Sequence, residues 1–124
     1  MENKIHSHKD LKAWQESMDL VIDLYKMMNQ FPEHEKYVLN SQIKRAAISI
    51  PSNIAEGFAR QGSKELIQFL YIALGSLSEL ETQLEIAFRL HYVSTIESLV
   101  SRIKFIRILL SNLIKSIKSK TSSP

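Results

Sequence analysis

The chain has 124 residues, 44% of them apolar and 23% charged, with three Gly, three Pro, no Cys and a net charge of +3. That length fits one domain able to bury roughly two thirds of the surface its unfolded chain exposes, and so little Gly and Pro argues for helices joined by few turns. The lack of Cys excludes disulfides, thiolate metal sites and cysteine nucleophiles; no run approaches the about 18 apolar residues of a membrane span, and MENKIHSHKD lacks the apolar centre of a signal peptide, so a cytoplasmic protein with no membrane partner is expected.

Leu11, Trp14, Met18, Val21, Leu24, Tyr25 and Met28 recur at helical spacing and predict a first helix from about Asp10, as its N-cap, to Asn29. FPEHE follows, where Pro32 suits a first helical turn and Glu33 and Glu35 suit the positive end of a helix dipole. A second helix is expected beyond it, with Leu39, Ile43, Ala46, Ala47, Ile50, Ile54 and Gly57 on one side. ARQGS ends that helix, and Ser63 is the expected N-cap of a third spanning about Lys64 to Leu90, with Ile67, Leu70, Leu74, Leu77, Leu84 and Phe88 toward the core. Ser94-Thr95-Ile96-Glu97 offers a capping box for a fourth helix, which runs to about Lys118 on Ile96, Leu99, Ile103, Ile106, Leu110, Leu113 and Ile117.

Short loops between long amphipathic helices predict an all-α fold, an antiparallel up-and-down four-helix bundle over residues 10–118, with residues 1–9 and the basic tail 119–124 disordered. Pro51 stands inside the second helix, in KRAAISIPSNIAEG. It deprives the Ala47 carbonyl of its donor and clashes with it, which predicts a kink near Pro51, with a break into two helices as the alternative; Ser49, Ser52, Asn53 or water would take up the freed polar groups.

The third and fourth helices carry more apolar surface than one bundle needs. Ile72, Gly75, Ile86 and Leu90 fall about 140–200° around the helix from Leu70, and Phe105 and Ile108 lie off the stripe of the fourth helix. These six residues are the candidate interface of a homo-oligomer, against the alternative of a monomer with scattered exposed apolar residues.

Charge is unevenly spread. From Leu99 onward there are six basic residues and no acid, so this segment carries +6 and leaves the first 98 residues at −3 out of the total of +3. Lys104, Arg107, Ser111, Lys115 and Lys118 lie within about 80° on the fourth helix. With Arg102, and with Lys44, Arg45, Arg60 and Lys64 around the second helix, they are the candidate contacts for RNA or DNA phosphates, set against a plainly solvated basic face. No aromatic residues interleave the basic ones in sequence, which gives single-strand base recognition little support.

Catalytic chemistry finds no foothold. No His follows a Glu at the Glu-x-x-His spacing of a di-metal bundle; His34 and His91 fall in or beside loops, and His6-x-His8 falls in the N-terminal segment. GFARQG, Gly57 to Gly62, lacks the spacing of a phosphate loop, and no Ser, His and Asp combine into a triad. No catalytic residue, metal or cofactor is expected. A polar stripe of Gln42, Ser49, Asn53, Glu56 and Arg60 borders the core face of the second helix, with Glu79 as a possible partner, and reads as a hydrogen-bond network between helices or subunits ahead of a ligand site.

Three long stretches, LKAWQESMDLV (Leu11 to Val21), SQIKRAAISIPSNIAEGFAR (Ser41 to Arg60) and ELIQFLYIALGSLSELETQLEIA (Glu65 to Ala87), closely resemble the small four-helix-bundle proteins encoded within intervening sequences of bacterial 23S ribosomal RNA genes, also labelled S23 ribosomal proteins. The resemblance covers about Leu11 to Ile114. That family is itself similar to the accessory variability determinant of diversity-generating retroelements, a basic pentameric barrel of four-helix protomers that engages a reverse transcriptase and nucleic acid. The resemblance implies a homopentamer without enzymatic activity, and a role beside RNA or DNA or beside a protein that processes them.

Overall fold

A computed structural model describes residues 7–121. Four long helices carry the fold: α1 (Lys12–Met28), α2 (Leu39–Ala59), α3 (Ser63–Arg89) and α4 (Glu97–Thr121). Each packs on its neighbours in the order α1, α2, α3, α4 and back to α1, so α1 and α3 stand on one diagonal and α2 and α4 on the other. Ser49 lies opposite Ser76 and Gly57 opposite Leu66; Glu81 faces Arg107 and Tyr71 faces Lys118. One number falls as the other rises, so these neighbours are antiparallel, as expected of an up-and-down bundle.

The core is aliphatic. Leu20 and Leu24 of α1, Ile43, Ile50 and Ile54 of α2, Leu70, Leu77, Leu80 and Leu84 of α3, and Ile103, Ile106 and Leu110 of α4 are fully buried, each side chain contributing about 1.5–3 kcal/mol. The predicted face of α2 is the observed one. On α1 the stripe is rotated: Ala13 and Ser17 are buried while Met18 and Tyr25 are exposed. Ser17 enters the core because its hydroxyl donates to the Trp14 carbonyl one turn back, at 2.8 Å, and so needs no other partner. Phe88, placed in the core by its spacing, is exposed on α3, where Ser76 and Gln83 are buried instead.

Several helix ends differ from their predicted form. Asp10 does not cap α1. Its carboxylate accepts from the Ser7 N–H at 3.2 Å while Ser7 Oγ accepts from the Lys9 N–H at 3.0 Å, closing a capping box around a short 3-10 turn, His8–Asp10, that precedes the helix. Residues 7–9 are therefore structured, and α4 continues through residues 119–121; the remaining residues of the two segments expected to be disordered, 1–6 and 122–124, lie outside the described residues, His6 with them. Pro32 caps a second 3-10 turn, Glu33–Glu35, and α2 begins only at Leu39. Gly62, not Ser63, occupies the N-cap of α3. Before α4, Thr95 Oγ1 accepts from the Glu97 N–H at 3.3 Å. At the other end of α3, His91 adopts φ 64°, with its N–H bonded to the Phe88 carbonyl and the Tyr92 N–H to that of Ala87, a Schellman ending with His where Gly is usual.

α2 runs through Pro51 without interruption, so the alternative of two separate helices is not realised. The Pro51 ring is buried beside Trp14, Met18 and Val21 of α1. The most extensive helix pair is α2 with α3, and small residues permit it. A Cβ added at Gly57 would stand 3.0 Å from both Leu66 Cδ1 and Phe69 Cβ. The Phe69 Cβ is fixed to the α3 backbone and cannot yield without moving the helix. Gly57→Ala is therefore expected to lower stability by about 1–3 kcal/mol in chemical denaturation, although Ala is the better helix former by about 1 kcal/mol.

One end of the bundle is latched by Tyr92, whose hydroxyl donates to Glu35 at 2.6 Å while its ring packs on Phe31 and His34. Glu35 also accepts from the Leu39 N–H at 3.4 Å, at the positive end of α2, the position expected of this acid. The hydrogen bond to Glu35, then burial, then the carboxylate charge all raise the Tyr92 pKa above its ordinary 10.0. A phenol held neutral in the fold contributes stability that is fully present below its unfolded pKa and is lost as pH rises through the folded one. The stability gap between the wild type and Tyr92→Phe should stay constant up to about pH 9 and close above about pH 10, read from denaturation midpoints across that range.

Candidate nucleic-acid interface

The fold divides the five candidate cations of α4. Arg102, on the flank of α4 that faces α1, donates Nη1 to Asp23 Oδ2 in a close ion pair. Arg107, on the flank facing α3, donates Nη2 to Glu81 Oε1 at 2.8 Å. Lys118 Nζ donates to the Tyr71 hydroxyl at 2.9 Å. Lys104 and Lys115 extend into solvent with no ion pair among the described residues.

The second basic group is also divided. Arg60 bonds Glu56 at 2.9 Å, stands 3.7 Å from Glu65 and lies 5.1 Å from the centre of the Phe69 ring, so two carboxylates and an aromatic face already hold it. Lys44 lies 5.0 Å from the centre of the Tyr25 ring across the α1–α2 contact, whereas Arg45 and Lys64 are exposed. Of the nine candidate cations, three arginines thus serve as ion-pair ties, and Arg45, Lys64, Lys104 and Lys115 project freely from three different helices.

The polar stripe on α2 is brought together only in part. Asn53 Nδ2 donates to Ser49 O at 2.7 Å and Ser49 Oγ at 2.8 Å, and Ser49 Oγ meets Ser76 Oγ of α3 at 2.8 Å. The member from α3 is Ser76, while Glu79 and Gln42 are exposed and outside this cluster. Ser76 is one of only three buried polar side chains among the described residues, and no sequence signal separated it from an ordinary small helix residue. Glu56 belongs to the Arg60 pair instead.

All six candidate interface residues, Ile72, Gly75, Ile86, Leu90, Phe105 and Ile108, are exposed, Ile108 at 57%. A second exposed apolar face, not anticipated from the periodicity, lies on the opposite side of the bundle. It comprises Met18, Ile22 and Tyr25 of α1 with Ile48 of α2, beside the groove floored by Pro51. The signal was present in Ile22 and Ile48, which fall off the core stripes of their helices. In the groove between α3 and α4, Glu81, Glu85 and Arg89 gather with Thr82 and Val100, and Glu85 is bonded to Arg89 at 2.9 Å. Among the described residues no three His, Asp or Glu side chains come together to hold a metal ion, and no helix is long and apolar enough to cross a membrane.

The fold and these surfaces define a small antiparallel four-helix bundle in which Arg60, Arg102 and Arg107 are engaged by its own carboxylates. The chain belongs to the family of 23S rRNA-intervening sequence proteins, whose family model matches residues 9–112. It is similar to a solved structure from Bacteroides thetaiotaomicron VPI-5482, described as a protein of unknown function from the S23 ribosomal protein family, with 30% identity and a TM-score of 0.73 over 83% of this chain and 98% of that one. No curated protein matches the chain.

If Arg107 and Glu81 tie α4 to α3, a double-mutant cycle on Arg107→Ala and Glu81→Ala should give a coupling of about 0.2–1 kcal/mol that shrinks as salt is raised from 50 mM to 1 M. A coupling of zero at low salt would leave Arg107 available to a partner.

Proposed function

We propose that this chain is a non-enzymatic homo-oligomeric bundle, a pentamer as the family resemblance implies, which acts as an accessory to RNA or DNA or to a protein that processes them. The observation that carries the assembly is the pair of apolar faces on opposite sides of the protomer. A closed ring needs two different, mutually fitting faces, because each subunit meets one neighbour through the first and the other neighbour through the second. Exposed apolar clusters of this kind mark interaction sites more often than single surface residues do.

The nucleic-acid part rests on Lys104, Lys115 and Lys118 along one flank of α4, which has no acid after Glu97. A second reading, assembly without nucleic acid, is favoured by the engagement of Arg60, Arg102 and Arg107 in ion pairs. Two measurements separate them. Light scattering at micromolar concentration should give about five times the 14.3 kDa protomer mass, and a monomeric mass overturns the assembly. Titration of a structured RNA at 50 and 200 mM salt should show binding that weakens steeply, by about tenfold or more; affinity no better than that of an acidic control protein leaves the assembly reading alone.

A further inference from the structure

The outward edges of α2 and α3 carry matching stripes. On α3, Gln68, Ile72, Gly75, Glu79, Thr82 and Ile86 follow one another at steps of four, three, four, three and four, all of them exposed and within about 80° around the helix. On α2, Ser41, Arg45, Ile48, Ser52 and Ala55 run at steps of four, three, four and three, exposed except for the half-buried Ala55. Each stripe holds one charge, Glu79 on the first and Arg45 on the second, and neither has a hydrogen bond or ion pair among the described residues. Gly75 stands in the middle of a 27-residue helix, where Ala would hold the helix better. Nothing beyond its own turn lies within 4 Å of a Cβ added there, so no packing inside the protomer requires it, in contrast to Gly57. Just ahead of α2, Tyr37 and Val38 are 84% and 58% exposed.

We propose that these stripes are the two halves of a contact between copies of this chain, with α3 of one protomer lying antiparallel against α2 of the next. The inference rests on the assembly reading above and adds to it a register. Laid antiparallel, the stripes keep step along their length: Ile72 comes level with Ser52, Gly75 with Ile48, Glu79 with Arg45, and Ile86 with Val38. The lone acid thus meets the lone base, and opposite charges brought together in this way fix the register of an interface. Ile48 arrives where the missing Cβ leaves the α3 backbone bare, which lets the two helices come close. A slip of one turn either way sets Arg45 level with Gly75 or Thr82 and leaves both charges unmatched. The antiparallel direction is also the one a ring requires. When the symmetry axis runs along the bundle every copy points the same way, so the neighbour's α2 opposes α3 as it does within a protomer, and each copy offers one stripe to each neighbour.

The test is sedimentation velocity of the full chain over a dilution series, with circular dichroism to check that each variant folds. Arg45→Glu and Glu79→Arg should each raise the concentration at which the assembly dissociates by about tenfold or more, and the double reversal should return it to within about threefold of wild type. Gly75→Leu should raise it by about tenfold while the protomer keeps its helix content, because the position is open within the protomer and crowded only at the contact. The chain has no Cys, so Ser41→Cys combined with Thr82→Cys reports the register directly: oxidation of the assembly should give a ladder of disulfide-linked oligomers on a non-reducing gel. If wild type assembles but the single reversals leave dissociation unchanged, the double reversal does not restore it, or the cysteine pair links no copies, this contact falls and the assembly reading stands. If wild type is monomeric at micromolar concentration, both fall.

Discussion

The close approach of α2 to α3 is the constraint on which the rest of the bundle depends. Gly57 leaves to Leu66 and Phe69 the space that a Cβ would need, and Ser49 and Ser76 meet hydroxyl to hydroxyl farther along the same seam. Two helices held this near leave no room for bulky side chains between them, and so Ala46, Ala47 and Ala73 are buried in the core beside the larger residues. The large aliphatic residues fill the space among all four helices, and α1 and α4 take their places against the pair. A polar bond at the seam adds direction, since a buried hydroxyl accepts only a register in which its partner is present.

Around this seam the charged groups act mostly as ties. Asp23 with Arg102 joins α1 to α4, Glu81 with Arg107 joins α3 to α4, and Arg60 gathers Glu56 of α2 and Glu65 of α3 at the turn between them. Half-exposed pairs of this kind are individually weak, and their value lies in fixing neighbours to one another. They also lower the effective positive charge of a segment that looks strongly basic in sequence. Arg45, Lys64, Lys104 and Lys115 project from α2, α3 and α4 instead, so the electrostatic character of the surface is narrower than the net charge suggests.

The uncharged outer faces supply the other half of the functional reading. Met18, Ile22, Tyr25 and Ile48 stand on one side of the bundle, with Ile86, Phe105 and Ile108 on the other. On a protomer alone each of these side chains keeps apolar surface in water, at roughly 25 cal/mol for each Å² left unburied. In the proposed assembly that cost is removed, and two unlike faces suit a ring better than a two-fold pair.

The helix count, the antiparallel order and the core face of α2 were legible in the amino-acid sequence, because aliphatic residues at steps of three and four permit one buried stripe and short loops permit one connection pattern. The face of α1 was less legible: Met18 and Tyr25 fit a stripe as well as Ala13 and Ser17 do, and hydrophobicity alone prefers the larger residues. Only the neighbouring helices decide which stripe is covered, since the small residues face the side where a helix must come near. The helix starts were misjudged for a related reason, in that Asp10 and Pro32 are good caps for whatever turn follows, and here short 3-10 turns follow both. The sites lay furthest from view. Ser76 joins Ser49 and Tyr71 joins Lys118 across 27 and 47 residues of chain, and such pairs have no spacing to be read. Sequence by itself determined that four amphipathic helices would pack into one bundle, because local periodicity fixes which residues must leave water; the tertiary structure decided which cations are spent on ion pairs, because only the packing of α4 against α1 and α3 brings those groups within reach.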